Sequence, residues 1–392
     1  MLKLPSAASA RVVLVFGTRP EAIKMLPVAA ELRRRGLMPF LLSTGQHRDM
    51  LDQTLAAFGE RCDLDLGLMQ PGQDLPELFA RALLGVSGVL QREKPELVLV
   101  HGDTTTAMAA AMAAFYARVP IGHVEAGQRS FDLDAPWPEE LNRVAVDAMA
   151  ELLFAPTAQA AANLGAEYGA SGRHVLVTGN TGIDALLDSA QRIATERGLA
   201  ARLQAALPPL DPDRRLVVVT AHRRESLGAG LARICDAVAA IAARGDAQVV
   251  WPLHGNPEVR RPVLRRLGGR AHLHLVEPLG YLEMVWLMGR AAILLTDSGG
   301  LQEEGPALGK PVLVMRDATE RPEALATGVV KLVGTDSRAI RGEVARLLDD
   351  PAAHAAMARH AFPFGDGTGS RRIVDAIAAW MASRQPARSD AA

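Results

Sequence analysis

Ala291-Ala-Ile-Leu-Leu-Thr-Asp-Ser-Gly-Gly-Leu-Gln-Glu-Glu304 decides the fold. Its apolar run, Ala291–Leu295, has the length of a buried strand and is closed by Thr296-Asp297. Ser298-Gly299-Gly300 then turns the chain into a helix-like segment, which ends before a second apolar run, Pro311-Val312-Leu313-Val314. Strand, glycine turn, helix, strand is the repeating unit of a parallel sheet. The turn also leaves backbone N–H groups unpaired at the positive end of a helix dipole, a geometry that binds phosphate. Glu304 falls roughly one turn inside, where a carboxylate can accept hydrogen bonds from ribose hydroxyls. Taken alone, the same turn is also what any tight β-to-α connection requires.

The alternation extends in both directions. Arg11–Phe16, Phe40–Ser43, Leu97–Val100, Pro120–Val124, Leu152–Ala155 and Val175–Val177 read as strands of a first half. Leu216–Thr220, Gln248–Trp251, Leu273–Val276, Ala292–Leu295, Val312–Met315 and Val329–Val333 read as strands of a second. Pro20–Arg35, Thr105–Arg118 and Leu227–Ala243 are long enough for helices between them. Several strands are continuous apolar runs, as expected when helices cover both faces of a sheet. The class is therefore α/β, with two halves and a ligand in the cleft between them as the simplest architecture. The break falls near Gly179–Asp184 or in the proline-bearing stretch Leu207–Arg215. We expect domains at 1–180 and 181–368, with a helix at 369–384 crossing back onto the first.

Composition narrows the function classes. With 392 residues the length favours about two domains. Apolar residues at 49% and charged residues at 22% are ordinary for a globular chain, and a formal net charge of −1 provides no field for nucleic acid or anionic lipid. Any anion site must be local. Cys62 and Cys235 stand in no metal or disulfide spacing. His272 and His274 alternate along an apparent strand and read as ordinary strand residues. Met1–Ala10 is too short in apolar residues for a secretory signal, and Ala107–Ala117 is far short of a membrane span and reads as a buried helix. The expected location is the cytoplasm, with Ser383–Ala392 as a frayed tail.

Polar clusters recur where strands end, which is where α/β sheets bind ligands. Gly17-Thr18-Arg19-Pro20-Glu21-Ala22-Ile23-Lys24 follows the first strand, so Arg19 and Lys24 can reach an anion at a helix start. His101-Gly102-Asp103 and Glu125-Ala126-Gly127 follow two others, and Pro136-Trp-Pro-Glu-Glu140 opens a helix. In the second half, Ala221-His222-Arg223 follows a strand, and Thr319-Glu320-Arg321-Pro322-Glu323 forms a later loop. Singly, Asp103, Glu139 and Glu140 read as helix caps and His222 as a surface histidine. Together, carboxylates ending strands of one half and cations with a phosphate turn in the other suit an anionic leaving group beside general acid/base groups. No strand leads into GxGxxG with an acidic residue about twenty positions on, which argues against a dinucleotide site. Gly305-Pro306-Ala307-Leu308-Gly309-Lys310-Pro311 mimics a P-loop, but it is a residue short and lacks the Ser/Thr.

In this order the motifs resemble the bacterial non-hydrolysing UDP-N-acetylglucosamine 2-epimerases, from about Val12 to about Ile377. The resemblance rests on Phe16-Gly-Thr-Arg-Pro-Glu-Ala-Ile-Lys24, Gln46-His-Arg-Asp-Met-Leu-Asp52, Val100-His-Gly-Asp-Thr-Thr-Thr106, Gly122-His-Val-Glu-Ala-Gly127, Pro136–Glu140, His222-Arg-Arg-Glu-Ser226, Thr296–Glu304 and Glu320-Arg-Pro-Glu-Ala324. It implies a GT-B arrangement of two Rossmann-like domains around a central cleft, a homodimer, and no metal or redox cofactor. It also implies UDP-N-acetylglucosamine and UDP-N-acetylmannosamine as the UDP-sugar substrates, interconverted by anti-elimination of UDP and re-addition, with supply of surface-polysaccharide precursors. By the same resemblance Asp103, Glu125, Glu139 and His222 are catalytic. Arg19, Lys24, Ser298, Gly299, Gly300, Glu304 and Arg321 contact UDP, and Gln46, Arg223 and His254 belong to a second, activating site. The chain departs from the family pattern at Leu279, Met284, Gln128, Gly182 and Gly255. A related UDP-2-acetamido-sugar epimerase, a GT-B glycosyltransferase with an acceptor groove, and a non-catalytic sugar-nucleotide sensor remain as alternatives.

Overall fold

The computed structural model describes residues 11–45, 48–70, 72–169, 173–223 and 226–384, the side chains of 48–50 excepted. Packing divides the chain into two units, Met1–Ala185 with Gly365–Ala392, and Leu186–Phe364. The first holds β1 (Arg11–Phe16), β2 (Met38–Ser43), β3 (Leu64–Asp65), β4 (Leu97–His101), β5 (Ile121–Val124), β6 (Leu152–Ala155) and β7 (His174–Val177). The second holds β8 (Arg215–Thr220), β9 (Ala247–Pro252), β10 (Leu273–Val276), β11 (Ile293–Thr296), β12 (Val312–Val314) and β13 (Val330–Leu332). Sheet orders are β3-β2-β1-β4-β5-β6-β7 and β10-β9-β8-β11-β12-β13. Every pairing among the described residues is parallel. Both sheets therefore reverse their strand order once, at β1/β4 and at β8/β11, and each reversal opens a crevice at the carboxyl ends of the strands.

The period of two in a strand explains the layering. On β1, Val12, Leu14 and Phe16 pack with the helix Arg19–Arg34, while Val13 and Val15 pack on the other side with the helices Leu75–Glu93 and Thr105–Tyr116. Seven residues of Thr105–Tyr116 are buried, six of them alanines, and their small side chains let this helix lie close to sheet and neighbour. The second unit has its own core, in which Val217, Val219, Val249, Trp251, Ile293 and Leu295 meet Ile234, Val238 and Ile241 of the helix Ala229–Ala242. The edge strand Leu64–Asp65 carries no apolar run, which is why the sequence does not announce it. His272 has a left-handed backbone (φ 59°) and precedes β10, so it does not share a strand face with His274.

The last helix, Gly369–Arg384, belongs to the first unit. Ile373, Val374, Ile377 and Trp380 enter the same core cluster as Met25, Val28, Ala29 and Leu32. Its start is fastened by Asp184, whose carboxylate accepts from the backbone N–H groups of Gly369 (3.1 Å) and Ser370 (2.7 Å) and from the Ser370 hydroxyl (2.6 Å). No helix among the described residues is long and apolar enough to cross a membrane. Ile377 is fully buried. Ile377→Ala should therefore destabilise the first unit by about 2–5 kcal/mol in denaturant titration; a loss well below this would mean that the helix is not part of the core.

Candidate functional site

At the β1/β4 reversal the chain leaves β1 through Gly17 and Thr18 into the helix Arg19–Arg34. Glu21, 1% exposed, organises this turn by accepting from the N–H groups of Gly17 (3.1 Å) and Thr18 (2.8 Å) and from the hydroxyls of Thr18 and Thr104, both at 2.7 Å. Burial pushes its carboxyl above the ordinary range despite these donors. Thr104 in turn caps the helix that begins after β4, so one carboxylate ties the two loops flanking the crevice. Arg19 is half-buried at the first position of its helix.

Lys24, one turn on, forms an ion pair with Glu125, whose backbone is left-handed (φ 69°) just past β5. His101 Nε2, at the end of β4, lies 3.3 Å from the same Glu125 oxygen. Burial alone would raise the Glu125 carboxyl; the Lys24 and His101 charges and hydrogen bonds outweigh it and hold Glu125 well below the usual carboxylate range. A Cβ on Gly182 would lie 3.0 Å from Asn180 Oδ1 and 3.5 Å from the Lys24 stem, so the glycine leaves space beside the lysine.

Asp103 follows Gly102 beyond β4. Asn142 Nδ2 donates to its backbone carbonyl at 2.8 Å, and Arg143 pairs with its carboxylate. Both come from the helix Glu139–Met149, so the helix that begins with Glu139 is fastened to Asp103. Glu139 is half-buried and makes no ion pair or side-chain hydrogen bond among the described residues. Its neighbour Glu140 is a structural carboxylate, 1% exposed, accepting from the backbone N–H groups of Ser130 and Phe131 at 3.0 Å.

At the β8/β11 reversal the floor is a hydroxyl pair, Thr220 with Thr296 at 2.6 Å. Asp297, fully buried, receives the backbone N–H groups of His222 and Arg223 on Oδ2, each at 2.8 Å, while Oδ1 lies 3.3 Å from His222 Nδ1. Burial lowers the His222 pKa below 6.5; Asp297 opposes this, and His254 and Arg223 add to it. His254 stacks on the His222 ring, centroids 5.3 Å apart.

Ser298 is the N-cap of the helix Gly299–Ala307, and its side chain makes no capping hydrogen bond. Arg321 reaches this helix start: a Cβ on Gly299 would stand 2.7 Å from its guanidinium, so only glycine permits the approach. Arg321 Nε donates to Glu303 at 2.5 Å and Nη1 to Glu320 at 2.7 Å. Glu320 also accepts from Arg223 (3.1 Å) and Arg316 (2.7 Å). Burial raises the Glu320 carboxyl, but its own backbone N–H, Arg316 and Arg321 bring it down to about 2. Gln302, fully buried, ties the cap to the arginine loop through Ser298 O (3.2 Å) and the Thr319 hydroxyl (2.5 Å).

Of the residues singled out from sequence, Asp103, Glu125, Glu139 and Lys24 gather at one sheet end of the first unit, with Arg19 at its helix start. His222, Arg223, His254, Ser298, Gly299, Gly300 and Arg321 gather at that of the second. Glu304 is half-buried in the helix after the turn. Gln46 lies outside the described residues. Sequence reasoning missed Glu21, Asn142, Arg143, Asp297, Gln302 and Glu303 as site builders, although all but Asn142 and Arg143 lie inside the quoted motifs, and those two follow Leu141 just after one. No group of three or more His, Cys, Asp or Glu among the described residues could hold a metal ion.

A family model described as UDP-N-acetylglucosamine 2-epimerase matches residues 30–378. The UDP-N-acetylglucosamine 2-epimerase of Escherichia coli K12 is 50% identical over 94% of this chain and 98% of its own. The crystal structure of UDP-GlcNAc 2-epimerase from Neisseria meningitidis bound to UDP-GlcNAc is similar with a TM-score of 0.87 and 43% identity, covering 94% of this chain and 100% of that one. The glycosyltransferase SnogD from Streptomyces nogalater, 17% identical with a TM-score of 0.56 over 94% of this chain and 99% of its own, shares the fold alone.

The arginine cluster has a pH signature. Because Glu320 ionises at about 2 in the folded protein instead of the ordinary 4.5, its contribution to stability is complete above pH 4.5 and is lost as pH falls toward 2. Glu320→Gln should therefore flatten the acid limb of the melting temperature between those values, relative to wild type. Parallel acid limbs in the two proteins would contradict the depressed pKa.

Proposed function

The chain belongs to the UDP-N-acetylglucosamine 2-epimerase family, and from that premise we propose that it interconverts UDP-N-acetylglucosamine and UDP-N-acetylmannosamine by inversion at C2 of the sugar. The observation that carries the reading is the gathering of three carboxylates at one sheet end. Asp103 and Glu125 follow the adjacent strands β4 and β5, and Glu139 opens the helix that Asn142 and Arg143 fasten to Asp103.

C2 has no neighbouring carbonyl carbon to acidify its proton, so direct deprotonation is prohibitive. Loss of UDP from C1 makes it feasible. A base takes the C2 proton, the C–H pair becomes a C1–C2 double bond, and the C1–O pair leaves with UDP on the opposite face. The products are 2-acetamidoglucal and UDP. In the return step the UDP oxygen attacks C1 while a proton reaches the other face of C2. Glu125, kept ionised by Lys24 and His101, is a weak base, and its fixed negative charge suits the positive charge that builds in the ring. Asp103 and Glu139 then carry the proton transfers, each worth roughly 10²–10⁴-fold. The growing charge on the leaving diphosphate is met by Arg19, Arg321, His222 and the N–H groups that open the helix Gly299–Ala307; Glu304 takes the ribose. The same reading has the protein act in the cytoplasm as a homodimer, without metal or redox cofactor, supplying N-acetylmannosamine-type units for surface polysaccharide.

A second ligand site at Arg223 and His254, together with Gln46, is favoured by one observation. His254 stacks on His222 and Arg223 pairs with Glu320, so a ligand touching either would act directly on the first site's residues.

Incubating UDP-N-acetylglucosamine with the protein alone in D₂O separates the readings. Epimerisation yields UDP-N-acetylmannosamine with deuterium at C2; a transferase without acceptor or a sensor yields none, and that result would sink the proposal. Asp103→Asn and Glu139→Gln should each keep calorimetric UDP affinity while turnover falls about 10²–10⁴-fold. Wild-type turnover in either would reduce that residue to a cap.

A further inference from the structure

His123 lies on β5, two residues before Glu125, and is fully buried. Its Nδ1 is 2.6 Å from Asp147 Oδ1 and its Nε2 is 2.8 Å from the carbonyl oxygen of Gly102. Both partners are acceptors. A neutral imidazole has one N–H and would turn a lone pair toward the other oxygen. Only the doubly protonated ring satisfies both contacts. The counter-charge is present: Asp147, also fully buried, accepts on Oδ2 from Gly127 N (3.1 Å) and from Arg129 Nη1 (2.7 Å), which marks it as the ionised form. Arg129 is itself closed off by a two-pronged pair with Glu167, at 2.9 and 2.6 Å. The chain Glu167, Arg129, Asp147, His123 is thus a neutral set of alternating charges, assembled from β5, the loop after it and two helices.

The placement of this set gives it a consequence for the reaction. Gly102 is joined to Asp103; His123 is two residues from Glu125; Asp147 sits on the helix that Glu139 begins. One ring therefore links the three segments that carry the carboxylates. We propose that His123, as a buried imidazolium, is a positioning residue for the epimerisation, setting the relative placement of Asp103, Glu125 and Glu139 without touching the sugar. The inference rests on the epimerase reading above for the reaction it serves, and on geometry alone for the charge state.

Two measurements test it. In ¹⁵N-histidine-labelled full-length protein, the ring resonances that vanish in His123→Gln should show both nitrogens protonated at about pH 7. A neutral tautomer at about pH 7 overturns the proposal. Kinetically, His123→Asn should lower kcat by about 100-fold, the scale of an ångström of misplacement, with KM and UDP affinity held within about two-fold. Unchanged kcat in the variant beside an active wild type overturns the positioning role alone; a wild-type protein that does not epimerise removes the reaction and the role together.

Discussion

The single reversal of strand order in each sheet is the constraint on which the rest depends. Helices that follow β1 and β4 must lie on opposite faces, because the chain turns away in opposite directions from neighbouring strands. Their connecting loops therefore diverge, and the strand ends between them cannot be covered by the protein's own backbone. Groups that would be costly elsewhere become affordable there. In the first unit Gly17–Arg19 and His101–Asp103 flank this gap; in the second, Ala221–Arg223 and Asp297–Gly300 flank the gap beside β8 and β11. Parallel sheets with apolar faces on both sides leave little other room for polar chemistry.

What occupies those gaps is charge in balanced sets. A buried ion pair is weak evidence for stability, since desolvation offsets most of its attraction. Lys24 with Glu125, Arg143 with Asp103, and Arg321 with Glu303 and Glu320 are better understood as held geometry. Each holds a group oriented before a ligand arrives, so that little reorganisation remains for the reaction itself. The formal net charge of −1 over the chain fits this picture, because local clusters and not a global field must attract any anion.

The α/β class and the polar strand ends were legible because buried parallel strands are apolar runs and their loops are not. β3 was not legible, since two residues at an edge have no period to detect. Within the loops, residue type was legible and partnership was not. Glu303 and Glu304 are adjacent, yet successive helix positions point about 100° apart, so sequence could not tell which would meet Arg321. Glu139 and Glu140 pose the same problem, and there the structure gives Glu140 the loop amides. His123 stood in a quoted motif, but its meaning depends on Asp147, twenty-four residues away on another element.

The central claim is that C2 inverts through cleavage of the C1–O bond. UDP-N-acetylglucosamine carrying ¹⁸O in the bridge between C1 and the β-phosphorus tests it directly, read by ³¹P nuclear magnetic resonance of the sugar nucleotides recovered during epimerisation. If UDP leaves and returns, rotation of its terminal phosphate will move label into the non-bridging positions. If UDP-N-acetylmannosamine forms while all the label stays in the bridge, the C1–O bond never breaks and the account is wrong.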